Sequence, residues 1–263
     1  MTILKTKDNL FYGQVKLATT IRKGVDEEWD EKTIYWYDSD GYITKKERET
    51  IYDHDITVFH YNSKKQLTER VEGEGDYQII ERYFYNSKGN IVESVRMNSE
   101  NEIFVRNVYE YNEKGLKTAF KQYKGDGSVS EKSEYYYDNY GNLIKEMNHD
   151  YFKSIYIYDA NHKIKESSDY SGGDLDRRER YLYDSNGNKT EQSVSQCGKT
   201  WITKYFYNEL NQLIKSTAYK PDGSLDTEDT YKYDQYGNEI YNKYYSYNRK
   251  ETVYEENTKI EYY

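Results

Sequence analysis

Aromatic and polar positions alternate along this chain in short stretches that are separated by turn-forming residues. The recurring pattern is an aromatic residue, any residue, a tyrosine and then Asp or Asn, as in Tyr135-Tyr136-Tyr137-Asp138. Alternation with a period of two is typical of a β-strand whose two faces differ. Each copy of the pattern therefore predicts a strand that ends at a turn.

The pattern recurs at a nearly constant spacing, with its second tyrosines 21 to 26 residues apart. In the nine clear copies, these second tyrosines are Tyr37, Tyr61, Tyr85, Tyr111, Tyr137, Tyr158, Tyr183, Tyr207 and Tyr233. A tenth, degenerate copy reads Tyr245-Ser246-Tyr247-Asn248. Internal repeats of this length predict a tandem array in which each unit packs on its neighbours.

A tight turn is predicted after each copy. In Asp184-Ser185-Asn186-Gly187, the Asp side chain can accept backbone N–H groups, and Gly187 supplies the left-handed residue of a type I turn with a G1 bulge. Gly or Asn fills that last position in seven copies. The other two copies have Lys65 and His162 there, residue types that favour the left-handed conformation less, so the turn is predicted less strongly at these two places. A returning strand and a second turn complete each hairpin. The second turn is clearest at Lys220-Pro221-Asp222-Gly223 and similar at Lys124-Gly125-Asp126-Gly127.

These elements predict an all-β fold of tandem β-hairpin repeats that form a curled antiparallel meander or a β-spiral or solenoid. A propeller with two repeats in each four-stranded blade is a third architecture, which the short spacing between Tyr137 and Tyr158 disfavours. Residues 1–34 predict an irregular N-terminal capping repeat, with strands near Asn9 to Tyr12 and Val15 to Ile21. Residues 35–263 predict one continuous repeat domain.

The central residue of each pattern, between its two tyrosines, faces the opposite side of the strand from them. Several central residues are apolar or aromatic, which predicts that the sheet curls or that something covers part of this second face. The aromatic ones are the candidate binding residues, because aromatic rings stack on sugars or anchor protein partners. The candidates are Trp36, Phe84, Tyr136 and Phe206. The alternative is that these side chains fill the inside of a curled sheet.

Composition changes the picture in one respect. Among 263 residues, 32% are charged and Leu, Ile, Val and Phe are scarce, which by itself is typical of disorder. The 35 tyrosines favour a folded chain instead, because each can bury a large ring and keep its hydroxyl hydrogen-bonded. The net charge of −9 argues against a nucleic-acid partner or an anionic membrane surface. No apolar run is long enough to predict a membrane span.

Candidate chemistry is sparse. The single cysteine, Cys197, excludes an intrachain disulfide, and the four histidines lack the spacing of metal ligands. The stretch that begins at Asp184 resembles the start of a calcium loop but has Lys189 and Ser195 where such a loop needs Gly and an acidic residue. We therefore predict no catalytic residues, no metal site, no cofactor and no enzymatic activity.

The stretch from Tyr135 to Ile144, which reads YYYDNYGNLI, resembles the YD repeat of RHS-type proteins. The resemblance covers about Tyr35 to Ile240. In that family the repeats form a β-sheet that spirals into a shell around a toxin domain, or a surface-exposed scaffold. This chain is shorter than the shell-forming members and lacks their Pro- and Asp-rich self-cleavage segment and a toxin domain. The resemblance therefore implies a stand-alone or fragmentary YD scaffold.

The function predicted from the sequence is a non-enzymatic scaffold that binds a protein or a polysaccharide through its sheet surface. The alternatives are a toxin-associated immunity or carrier protein and a cell-surface carbohydrate-binding repeat module. The first ten residues lack the apolar segment of a signal peptide, so the chain as written is expected in the cytoplasm, or at the cell surface if it has been trimmed. Open edges of the array, such as Lys259 to Tyr263, predict edge-to-edge self-association.

Overall fold

Twenty β-strands form the regular structure of the chain in a computed structural model that describes residues 10–149 and 151–263. Residues 1–9, which include Asn9 of the predicted first capping strand, lie outside the described residues. The first ten strands are β1 (Val15–Gly24), β2 (Glu31–Tyr37), β3 (Ile43–Thr50), β4 (His54–Tyr61), β5 (Leu67–Glu72), β6 (Ile79–Tyr85), β7 (Ile91–Asn98), β8 (Ile103–Tyr111), β9 (Lys117–Lys124) and β10 (Val129–Tyr137). The others are β11 (Leu143–Asn148), β12 (Phe152–Tyr158), β13 (Ile164–Ser171), β14 (Asp174–Tyr183), β15 (Lys189–Gln196), β16 (Lys199–Tyr207), β17 (Leu213–Tyr219), β18 (Leu225–Tyr233), β19 (Glu239–Ser246) and β20 (Glu251–Tyr262).

Helical structure in the described residues is limited to two short 3₁₀ turns, Glu27–Trp29 and Gly75–Tyr77. The chain divides into two compact units. Unit 1 contains the described residues up to Phe59, together with Tyr183–Glu191 and Trp201–Tyr263. Unit 2 contains His60–Leu182 and Gln192–Thr200.

Successive strands pair antiparallel in each unit. In unit 2, ladders join β5 through β14 one after another. In unit 1, ladders join β16 through β20 and β1 through β4 in the same way. The predicted all-β meander of hairpins is confirmed. Ten consecutive strands without a break in unit 2 do not fit the four-stranded blades of a propeller.

The last strand of the chain pairs with the first. β20 lies between β19, along Glu251–Asn257, and β1, along Tyr254–Tyr262. This pairing joins the end of the chain to its beginning within unit 1, so the prediction of an open spiral or solenoid is wrong. The prediction that Lys259 to Tyr263 form an open edge is also wrong, because β1 supplies the hydrogen-bonding partner. A strand is present at the predicted position Val15 to Ile21, since β1 spans Val15–Gly24; its role as a cap stays a prediction.

Nine turns after the repeated pattern share one geometry. In each turn, the backbone N–H of the Asp or Asn donates to the carbonyl of the residue four positions later. The backbone N–H of the residue three positions later donates to the carbonyl of the same Asp or Asn. The turns start at Asp38, Asn62, Asn86, Asn112, Asp138, Asp159, Asp184, Asn208 and Asp234. Lys65 and His162 adopt the left-handed conformation (φ of 61° and 62°) where the other copies have Gly or Asn, so both irregular copies form the same turn.

In six copies of the pattern, the second tyrosine binds its hairpin to the preceding one through a hydrogen bond. The Tyr137 hydroxyl donates to the carbonyl of Lys117, on the returning strand of the previous hairpin, at 2.7 Å. Equivalent bonds run from Tyr85 to Leu67, from Tyr111 to Ile91, from Tyr158 to Leu143, from Tyr207 to Lys189 and from Tyr233 to Leu213. Burial raises the pKa of Tyr137, which keeps the hydroxyl a proton donor at neutral pH.

Replacing Tyr137 with Phe removes one such bond and leaves the ring in place. We expect the free energy of unfolding to fall by about 1 kcal/mol, the usual net value of a hydrogen bond. Urea denaturation followed by circular dichroism measures it. Tyr136→Phe is the control, because the Tyr136 hydroxyl binds the Glu134 carboxylate at an exposed position. Equal losses for the two variants would contradict the role assigned to Tyr137.

The sheet has two chemically different faces. The tyrosine face carries both tyrosines of each pattern and small partners such as Ser94, which lies opposite Tyr83 and is 1% exposed. The central face carries the central residues. From one hairpin to the next, the central residue moves along its strand by two positions. Tyr136 lies opposite Lys145, and Lys145 lies opposite Ile155. The central residue of the next copy is Ile157, two positions beyond Ile155.

A buried cluster holds the N-terminal segment against the strands of its own unit, unit 1. Phe11, Val15, Ala18 and Tyr37 pack together. The Asn238 side chain, 2% exposed, donates to the Tyr12 carbonyl at 2.9 Å and to the Tyr262 hydroxyl at 2.8 Å, and accepts the Tyr12 backbone N–H. Segments from both ends of the chain therefore meet at one amide side chain.

Candidate functional site

The candidate binding residues lie on the central face in their respective units. Phe84 is 48% exposed, Tyr136 38% and Phe206 44%, while Trp36 is half-buried. The rings of Phe84, Tyr136 and Phe206 are therefore partly open to solvent. Their role in binding stays a prediction.

The four candidates do not converge on one point. In unit 2, Phe84 on β6 and Tyr136 on β10 are four strands apart, which corresponds to roughly 19 Å across the sheet. In unit 1, Trp36 on β2 and Phe206 on β16 are six strands apart, roughly 29 Å. The central face thus offers a periodic row of separate positions, which suits an extended ligand better than a compact one.

Cationic side chains accompany the aromatic rings on this face. Lys45 lies opposite Trp36 in the ladder, with its Nζ 4.7 Å from the ring, and Lys145 lies opposite Tyr136 at 3.8 Å. Ammonium groups at such distances are attracted to the negative face of an aromatic ring. Further pairs on the central face are Arg106 with Tyr123, Lys153 with Tyr170, Lys204 with Tyr219 and Lys232 with Tyr241.

Sequence reasoning missed these cations, although a signal for them exists. The hairpin geometry places the residue nine positions after a central residue directly opposite it. That position holds Lys45 opposite Trp36 and Lys145 opposite Tyr136. It also holds Lys215 opposite Phe206.

Charges on the central face are largely neutralised by neighbours. Lys45 also binds Glu47 at 2.9 Å, and Lys215 binds Glu228 at 2.6 Å. Beside Phe84, Arg82 binds Glu69 at 2.8 Å. Hydrogen bonds from the Tyr136 hydroxyl and from Lys132, together with the Lys132 charge, lower the pKa of Glu134. The face therefore presents rings and hydrogen-bonding groups rather than a field of one sign.

Among residues 10–149 and 151–263, no group of three His, Cys, Asp or Glu side chains is arranged to hold a metal ion. Within the same residues, no helix has the length and apolar character needed to cross a membrane.

No protein-family model matches the chain, and no curated protein matches it either. Solved structures do show similarity. A crystal structure of TcdB2-TccC3-Cdc42 shares 14% identity at a TM-score of 0.47, over 87% of this chain and 15% of that one. A porin-like protein from Bacteroides uniformis shares 10% identity at a TM-score of 0.41, over 94% of this chain and 96% of that one. The chain thus spans about a seventh of the TcdB2-TccC3 chain, and none of these similarities bears on function.

Proposed function

We propose that this chain is a non-enzymatic YD-repeat scaffold whose central face binds a neutral polysaccharide. The observation that carries the proposal is the exposure of aromatic rings at repeat intervals on a face whose charges are paired within the sheet. The negative face of an aromatic ring attracts the C–H side of a pyranose ring. Neighbouring lysines, glutamates and hydroxyls supply partners for sugar hydroxyls.

A protein partner fits this face less well. The centre of a protein–protein interface is depleted of charged residues. Here the three exposed candidate rings each lie opposite a charged residue in the ladders: Phe84 opposite Glu93, Tyr136 opposite Lys145 and Phe206 opposite Lys215. The internal pairing of these charges also disfavours an acidic polymer, because a negatively charged ligand would compete with existing carboxylate partners. A hydrated, uncharged polymer leaves the ion pairs intact.

Affinity electrophoresis in gels that contain cellulose derivatives, xyloglucan, β-glucan, mannan or, as the charged comparison, polygalacturonate tests the proposal. We expect retardation by at least one neutral polymer. Tyr136→Ser and Phe206→Ser should each weaken it several-fold. The matched controls are Tyr140→Ser and Leu210→Ser, which remove exposed apolar side chains at turns and should change little.

Three outcomes would overturn the proposal: retardation by polygalacturonate alone, no retardation by any polymer, or equal effects of the face and turn variants. If no polymer binds and a single protein is recovered from cytosol at a fixed stoichiometry, the partner is a protein. That result would favour an immunity or carrier role over a carbohydrate-binding one.

A further inference from the structure

The tenth copy of the repeated pattern departs from the other nine in the face it presents. In the regular copies both tyrosines lie on the tyrosine face. In the tenth copy Ser246 occupies that face, opposite Thr227 and 7% exposed, and Tyr245 lies on the central face opposite Glu228. The sequence shows a degenerate copy at this point, and the structure shows that its first tyrosine, Tyr245, lies on the central face.

A shallow cavity of about 370 Å³ results from this change. Tyr247, which follows the end of β19, stands nearly perpendicular to the Tyr245 ring, with the ring centres 5.0 Å apart. A backbone hydrogen bond from Tyr247 to the Asp226 carbonyl holds the segment in place. Glu228, Thr230 and Lys243 complete the lining. A volume of this size falls within the range of small-ligand pockets.

The two charged side chains that line the cavity, Glu228 and Lys243, each already pair with a side chain of opposite charge. Glu228 accepts hydrogen bonds from Lys215 at 2.6 Å and from the Tyr247 hydroxyl at 3.4 Å, while Lys243 pairs with Glu255 at 3.4 Å. Burial, together with the nearby Glu228 carboxylate, raises the pKa of Tyr247, so its hydroxyl stays protonated at neutral pH. An ionic ligand would have to displace one of these partners.

We propose that this cavity is a subsite for one pyranose unit of a neutral oligosaccharide. The corner formed by Tyr245 and Tyr247 receives the C–H side of the sugar ring. The Glu228 carboxylate accepts hydrogen bonds from sugar hydroxyls, and Lys243 and Thr230 donate to their oxygens. The subsite rests on the proposed function and specifies where on the central face of unit 1 a single sugar is held most closely.

Isothermal titration with cello-, laminari-, malto- and manno-hexaose tests the subsite. For a hexaose that binds, Tyr245→Ala should weaken affinity about tenfold, which corresponds to about 1.4 kcal/mol. Thr230→Val, which keeps the side-chain shape and removes the hydroxyl, should weaken it several-fold. Tyr52→Ala is the matched control, because Tyr52 belongs to the same unit, is 68% exposed between β3 and β4, and lies outside the cavity.

The result separates the two proposals. Unchanged affinity in Tyr245→Ala and Thr230→Val, with binding still lost in Phe206→Ser, overturns the subsite and leaves the proposed function standing. Failure of every hexaose and every neutral polymer to bind the unaltered protein overturns both. Should Tyr245→Ala fail to fold, the isosteric Thr230→Val variant decides, and a loss of affinity equal to that of Tyr52→Ala counts against the subsite.

Discussion

Replacing Gly125 with Ala is expected to destabilise the protein by about 3 kcal/mol. A Cβ atom on Gly125 would lie 2.4 Å from the Ile103 carbonyl oxygen and 3.3 Å from the Phe104 Cα. Both are backbone atoms at the start of β8, so no side chain can move aside to relieve the overlap. The strand end or the turn after β9 must shift, which disturbs the ladder between β8 and β9.

Gly127→Ala is the control for this prediction. Gly127, in the same turn, has a φ of +81°, and a Cβ there would meet nothing within 4 Å. Its substitution should cost only the strain of a left-handed Ala, about 1 kcal/mol. Urea denaturation of both variants measures the difference. The steric argument fails if Gly125→Ala is no more destabilising than Gly127→Ala.

The second large effect is expected at Asn238. Asn238→Leu preserves the approximate volume but removes the side chain that accepts the backbone N–H of Tyr12 and donates to the Tyr12 carbonyl. It also removes a donor to the Tyr262 hydroxyl. Buried polar groups that lose their partners cost about 1–3 kcal/mol each, so we expect a total loss of about 4 kcal/mol. Hydrogen exchange of the β1 and β20 amides should accelerate more than exchange in β8.

A matched control exists in another repeat. Asn142 occupies the same position of its turn as Asn238 and likewise donates to the turn carboxylate, that of Asp138. Its remaining side-chain partner is the exposed ring of His162 rather than the N-terminal segment. Asn142→Leu should therefore cost about 1 kcal/mol. Equal losses for the two variants would show that Asn238 does no more than stabilise its own turn.

The repeat and its turns could be predicted from the sequence, because both rest on local chemistry. The Asp or Asn that begins each turn accepts its hydrogen bonds within four residues, as Asp138 does from Tyr140 and Asn142. This local bonding also explains why Lys65 and His162 form the regular turn without Gly. The cost of one left-handed residue is smaller than the combined contribution of the turn and its flanking ladder.

Pairing between distant segments could not be predicted in the same way. β1 lacks the repeated pattern, and its partner β20 lies more than 200 residues away, so no local signal indicates that they pair. The contact of Asn238 with Tyr12 has the same origin. Gly125 shows a related difficulty: Pro221 takes the equivalent position of its own turn, so the repeats indicate that a larger residue is tolerated. Only the position of the Ile103 carbonyl reveals the clash.

The candidate site was predicted in part. Alternation along the strand correctly placed Phe84, Tyr136 and Phe206 on the face opposite the tyrosines, since that requires only a period of two. Their cationic neighbours depend on the register across the hairpin, which follows from the length of the turn. The cavity at Tyr245 depends on a local shift of the tyrosines between faces, and a single degenerate copy of the pattern does not reveal its direction.

The displacement of two positions per hairpin has a consequence for how such a chain can change its length over generations. Two is the period of the strand, so a duplicated or deleted hairpin leaves every remaining side chain on the face it already occupies. The same displacement occurs after Phe84. Phe84 lies opposite Glu93, which lies opposite Val108, and the next central residue is Glu110, two positions further on. Related chains that differ by whole hairpins should therefore conserve both faces, whereas gain or loss of a single strand would reverse the direction of every strand after it.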